Sequence, residues 1–301
     1  MSIAPGREVL HTRPRRAGAF TVIEMLVVVF VIALLLGILV PGLAKARRQV
    51  GLIINGCNQR QVGGCLALYA FDHDDALPDS VATIGAETNW NWQEPMMMTG
   101  YRARSPRLHR SMSAYLRDYV EDPAMLYCAN APQRYQFLDA VWEAGDAWDN
   151  PDTPPLQDPA SGTYCFYWNY TGYLQENGRL FRGPATAGGS PGYSTLLISD
   201  YFGYDHHRSR FAFASCERFA GADVTPGTPL SSAYWSRLPL EEMTKDSLTM
   251  RLTAMFVDGH VERYGPSETT TMRVIWKTDT NQPYPPGLGP GEFYLPQSSL
   301  P

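Results

Sequence analysis

Polarity divides the chain into a short basic head, a long apolar run and a mixed remainder. Residues 20–40 read FTVIEMLVVVFVIALLLGILV, and Glu24 is their one charged side chain. At roughly 1.5 Å per residue, a helix of this length spans about 30 Å, the thickness of a membrane's hydrocarbon core. The rest of the chain is too polar to do the same. Arg13, Arg15 and Arg16 precede the run, and Lys45, Arg47 and Arg48 follow it. Basic residues on both flanks leave the positive-inside rule a small margin, and the expected orientation has the N-terminus in the cytoplasm.

Helical periodicity continues past the run. Val50, Ile54, Cys57, Gln61, Cys65 and Leu68 recur at three- and four-residue spacing, so residues 42–71 are expected to extend the helix and to pack this stripe on a sheet. Gly51, Gly56, Gly63 and Gly64 each cost about 1 kcal/mol relative to Ala, which makes the helix dependent on its packing. One helix from residue 20 to about 71 would be roughly 75 Å long. Residues 80–110 read as an irregular connection, 112–120 as a short helix stopped before Asp122-Pro123, and the acidic, proline-rich 139–160 as a loop. β-Branched and aromatic content marks 164–170, 194–199, 210–214, 252–257 and 272–276 as strands, and Asp258-Gly259 is a hairpin signal. The expected fold class is α+β: a long N-terminal transmembrane and spine helix packed on an antiparallel β-sheet, with loop-rich insertions.

Composition narrows the function classes. The chain has 301 residues, 44% of them hydrophobic, enough to bury a real core. A net charge of −5 gives no basic footprint, so nucleic acid is not an expected partner. None of the five cysteines forms a CxxC pair, which argues against a zinc ribbon or a thioredoxin-type site. Cys57 and Cys65 lie about 12 Å apart along a helix, beyond disulfide reach. Cys57 and Cys128, both flanking expected core elements, are the candidate disulfide pair, with buried free thiols as the alternative.

Four local patterns invite chemistry. Asp72, Asp74, Asp75 and Asp79 form an oxygen-rich segment of the kind that holds calcium, but it lacks the Gly and closing Glu of an EF-hand. A solvated helix end is the expectation, and no cofactor is required; calcium is the one ion to consider. Gly188-Gly189-Ser190-Pro191-Gly192 spells the GxSxG of serine hydrolases, yet Pro191 has no N–H for an oxyanion hole, so a turn is expected. Asp205-His206-His207 offers metal-binding side chains, but neighbours on a strand face opposite ways. Asn169-Tyr170-Thr171 fits a glycosylation sequon inside an aromatic run better suited to a core. No constellation supports an enzyme.

Glu24 stands out, because an acidic side chain in a membrane segment costs roughly 2.5–3.5 kcal/mol at mid-bilayer. Near the helix start the cost falls, and the positive end of the helix dipole can stabilise the carboxylate with no further role. The neighbouring residues Arg15-Arg16-Ala17-Gly18-Ala19-Phe20-Thr21-Val22-Ile23-Glu24-Met25-Leu26 point further. They resemble the processing site of type IV prepilins, where a basic leader ends in a small residue, the first mature residue is commonly Phe, and the fifth is Glu. Pro41 falls at the twenty-second mature position, where pilin helices often carry a kinking proline. The family usually has Gly before the cut; here Ala19 takes that place, and a cut after it keeps Phe20, Glu24 and Pro41 in register.

That resemblance implies a leader over 1–19, a transmembrane helix over 20–41, a periplasmic spine helix over 42–71 and a globular pilin-like α+β domain over 72–301. It implies a prepilin peptidase that cuts between Ala19 and Phe20 and methylates the new Phe20 amine, with Glu24 and Pro41 serving assembly. The implied partners are that peptidase, other pilin or pseudopilin subunits and the inner membrane; the implied product is a type IV pilus or a type II secretion pseudopilus. The C-terminal domain would then lie in the periplasm or on a filament surface. Ala254-Met255-Phe256-Val257-Asp258-Gly259-His260-Val261-Glu262 resembles the closing motif of a large prepilin-like bacterial group. That group often has a His ten residues before the Asp, where this chain has Leu248. Two alternatives stand beside this reading: a secretory signal cut after Ala44, and a membrane-anchored protein whose aromatic-rich domain binds a ligand such as a glycan.

Overall fold

The computed structural model describes residues 21–82, 94–100, 109–131, 138–147, 160–204, 211–214, 223–224, 236–239, 251–275 and 291–300. Contacts divide the chain into two units, Met1–Arg47 and Arg48–Pro301. Helix α1 (Val22–Asp72, 51 residues) contributes to both. Its start is set by Thr21, whose hydroxyl oxygen accepts the Glu24 N–H at 3.3 Å. Glu24 Oε2 reaches back to accept the Thr21 N–H and hydroxyl, each at 2.8 Å. This is a capping box, satisfying backbone donors that a helix start otherwise leaves open. The helix ends where Asp74 and Asp75 turn left-handed, at φ 53 and 66.

In the second unit two short helices follow, α2 (Met112–Leu116), capped by the Ser111 side chain, and α3 (Leu138–Ala144). The loop expected over 139–160 therefore begins with a helix. Leu138, Val141 and Trp142 are buried at helical spacing, and this apolar face outweighs the intervening acids. Residues 148–159 lie outside the described part.

Twelve strands are seen among the described residues: β1 (Tyr164–Phe166), β2 (Thr171–Leu174), β3 (Leu180–Arg182), β4 (Leu196–Asp200), β5 (Phe202–Tyr204), β6 (Phe211–Ala214), β7 (Asp223–Val224), β8 (Ser236–Pro239), β9 (Leu252–Phe256), β10 (Val261–Tyr264), β11 (Thr269–Val274) and β12 (Glu292–Pro296). They form two sheets, ordered β1-β4-β9-β10 and β3-β2-β11-β12-β5-β6-β8-β7. Every pairing is antiparallel. The α+β class expected from the sequence holds, with two sheets where one was expected. The strand expected over 164–170 is interrupted because Asn169 adopts a left-handed φ of 50. Its side-chain amide donates to the carbonyls of Leu77 and Pro78 at 3.0 and 2.9 Å, tying the exit of α1 to the β1–β2 turn.

The four-stranded sheet separates two cores. Tyr164 and Phe166 of β1 join Val62, Leu66, Tyr69, Leu116, Val141 and Trp142 in a cluster shared with the helices. Cys165 between them joins Tyr167, Phe181, Phe202, Phe256 and Phe293 in a cluster shared with the larger sheet. Alternation along the strand produces this division.

Candidate functional site: helix α1 and its seat on the sheet

Among the described residues, α1 is the one helix long and apolar enough to cross a membrane. Val22, Met25, Leu26, Val29 and Phe30 keep more than half their surface exposed, as do Leu34, Leu35 and Ile38. A surface of this kind needs lipid or other helices to cover it. Glu24 occupies the third helical position, bonded within its own turn. The sequence signature Thr-x-x-Glu announces this cap locally, which the reading of Glu24 as an isolated charge overlooks. Pro41 lies inside the helix. It offers no N–H to the carbonyl of Gly37, four residues earlier, and Gly42 follows it, so this stretch is the least supported part of the apolar segment. Ala19 and Phe20 lie outside the described residues.

In the second unit the helix seats itself by a different face from the one expected. Buried are Gly51, Leu52, Asn55, Gln59, Val62, Gly63, Leu66, Tyr69 and Ala70. Most of the expected stripe points outward instead: Val50 is 54% exposed, Ile54 44% and Leu68 59%, and Cys57 and Gln61 are exposed, while Cys65 is half-buried against the core; Ile53 and Phe71, also on the outward side, are 60% and 86% exposed. Apolar residues recur at helical spacing on both sides, so periodicity alone selects neither. On the buried side two amides also meet a polar partner on the sheet.

That partner is Asp200 at the end of β4, fully buried with Asn55 and Gln59. Asp200 Oδ1 accepts the Asn55 Nδ2–H at 2.8 Å and the Gln59 Nε2–H at 2.9 Å. Its Oδ2 accepts the Thr253 backbone N–H at 2.8 Å. Gln59 Nε2 also donates to the Thr253 carbonyl at 3.3 Å, and the Tyr164 hydroxyl donates to Asn55 Oδ1 at 2.6 Å. Burial, and then the charge of Asp200, push the Tyr164 hydroxyl pKa well above its ordinary value. Asn55 and Gln59 stand four apart, one turn of the helix, so both can aim at a single carboxylate. Beside this knot α1 approaches closely: a side chain at Gly63 would meet the end of Met255, and one at Gly51 the amide of Asn130.

The remaining candidate residues fall apart. Cys57 is a free thiol, so the expected pairing of Cys57 with Cys128 is not formed. Cys57 sits on the outward face, away from the core that was to bring the two together. Cys128 is disulfide-bonded, with a partner outside the described residues, whereas Cys65 and Cys165 are free. The acidic segment disperses: Asp72 accepts from the Tyr119 hydroxyl at 2.9 Å and Asp79 from the Tyr115 hydroxyl at 3.2 Å. No three acidic, His or Cys side chains converge on a metal position among the described residues. Ser190 lies in a turn, with Gly189 and Gly192 at φ 82 and 76 and the Tyr193 N–H donating to the Ser190 carbonyl at 3.0 Å. Tyr170 of the sequon is buried in the second core. Asp205, His206, His207 and Leu248 lie outside the described residues.

Asp258-Gly259 does make the turn between β9 and β10, with Gly259 at φ 83. His260 stacks on Phe256 at 4.3 Å between ring centres and places Nδ1 2.5 Å from Asp258 Oδ1. The backbone N–H and then the ring of His260 hold the Asp258 carboxyl below its ordinary pKa. Both groups serve the hairpin. No family model, curated protein or solved structure matches the chain.

Proposed function

We propose that this chain is a pilin-like or pseudopilin-like structural subunit, cut between Ala19 and Phe20 by a prepilin peptidase and assembled through α1. The observation that carries the reading is the helix's surplus of uncovered apolar surface. One helix has membrane-spanning length and composition, and its outward face in the second unit remains apolar at Val50, Ile53, Ile54, Leu68 and Phe71. An anchor alone accounts for the first of these and leaves the second in water. Packing against the helices of neighbouring subunits accounts for both, since each buried Leu, Ile or Phe contributes about 1.5–3 kcal/mol. In this reading the chain does no chemistry of its own.

Glu24 then has two partners in succession. Before assembly its carboxylate closes the Thr21 cap; in a packed bundle it faces the free amine of a neighbouring Phe20, a cation able to compensate a carboxylate in a dry environment. The test is filament recovery from cells that make Glu24→Gln or Glu24→Ala in place of the native chain. Glu24→Gln keeps an acceptor for the cap and loses the charge. The proposal expects both variants to enter the membrane and neither to yield sheared filaments. Normal filament yield from Glu24→Ala would reject it and leave a simple anchor carrying a binding domain.

A further inference from the structure

The polar knot under α1 sits where an apolar side chain would cost less. Leu52, Val62, Leu66 and Tyr69 continue the buried face on either side of Asn55 and Gln59. With leucines at 55 and 59, that face would repeat apolar side chains every three or four residues, and apolar packing alone would separate neighbouring registers poorly. At Gly63 the neighbouring atoms are the free end of the Met255 side chain, which can give way, while the bonds of Asn169 to Leu77 and Pro78 hold the far end of the helix. The polar arrangement is also incompletely bonded: Gln59 Oε1 and Thr253 Oγ1 are buried and find no partner among the described residues. Unpaired buried polar atoms lower stability.

We propose that the Asn55–Gln59–Asp200 knot is a register lock, which selects one axial and rotational setting of α1 on the four-stranded sheet at a cost in stability. A single carboxylate bonded by two amides one turn apart defines the setting to within one residue. A slip by one turn keeps one amide near Asp200 at best, and leaves the other amide or part of the carboxylate buried without a bond. Buried polar groups fix register in helical assemblies by this same penalty. The lock thereby fixes which face of α1, that of Ile53, Ile54, Cys57, Leu68 and Phe71, is left outward. This inference is independent of what covers that face.

The test compares single variants with an all-apolar one in the full chain in detergent. Asn55→Leu and Asp200→Leu each strand the remaining partners, and each is expected to lower the melting temperature by roughly 5–10 °C. The combined Asn55→Leu/Gln59→Leu/Tyr164→Phe/Asp200→Leu variant is expected to melt above both singles. Spin labels on Cys57 and on Arg263→Cys of β10, in a Cys65→Ser background, report the register. The native knot gives one distance; the all-apolar variant gives a broadened or split distribution, offset by about 5 Å, one helical turn. A single unchanged distance in that variant, or a melting temperature below both singles, overturns the lock.

Discussion

Leu66 and Leu68 sit two residues apart on α1 and face opposite ways, which makes them a sharp test of how the helix is used. Leu66 is wholly buried against the sheet, whereas Leu68 and Phe71 are 59% and 86% exposed. Leu66→Ala removes core side-chain volume and leaves a cavity, a loss of about 3–5 kcal/mol. For a body of this size that lowers the melting temperature by roughly 6–15 °C. Leu68→Ser/Phe71→Ser takes away side chains already in water, so the isolated protein should stay within about 0.5 kcal/mol per site of the wild type. In an assembly that covers the outward face, the same two side chains would regain about 2–5 kcal/mol together. Their loss then weakens association more than about thirtyfold. Melting followed by tryptophan fluorescence in detergent, with Trp142 and Trp168 buried as reporters, measures the first quantity. Cross-linking of the exposed Cys57 thiol with a bis-maleimide in native membranes, alongside the sheared filament fraction, measures the second. If the double variant melted with Leu66→Ala, the assignment of faces would be wrong. If it cross-linked and sheared like the wild type, the outward face would have no part in assembly.

Three further outcomes follow from local geometry. Gly183→Ala should abolish folded protein, or cost about 3 kcal/mol or more, because the added carbon would lie 1.5 Å from the Tyr167 carbonyl oxygen; wild-type melting would contradict that backbone contact. Burial raises the Asp146 carboxyl pKa, but hydrogen bonds from His109 and from the N–H groups of Arg110 and Ser111 outweigh it and leave the pKa lowered. Its stabilising effect is therefore complete above the ordinary carboxylate pKa of about 3.9 and lost as pH falls through the lower folded value. The melting advantage of wild type over Asp146→Asn should accordingly disappear below about pH 4, and an advantage that grew there would reverse the sign. In a peptide map without reduction, Cys57 should carry the alkylating label and Cys128 should not; a peptide joining Cys57 to Cys128 would refute the outward placement of Cys57.

The existence and end of α1 were legible because its apolar run and the Asp72–Asp79 segment are strong local signals. Its buried face was not. Asn55 and Gln59 read as breaks in an apolar stripe until their partner is known, and Asp200 lies 145 and 141 positions away. The true stripe and the false one differ by about half a turn, and what the buried one meets comes from residues far along the chain. The cap at Thr21 is written in the sequence as Thr-x-x-Glu, a signal that the membrane cost of a lone carboxylate masks in Glu24. Helix α3 carried its apolar spacing openly, obscured by acids that lie on its outer side. The short strands β2, β3 and β12 left little alternation to read, and the partner of Cys128 is not encoded in cysteine spacing at all.

Processing of the leader is read out by the mature N-terminus. The full chain is expressed with and without a prepilin peptidase and the membrane-bound product is analysed by mass spectrometry. A peptidase-dependent terminus at N-methylated Phe20 is expected. A terminus at Lys45, or a chain still beginning at Met1 in the presence of the peptidase, would contradict it.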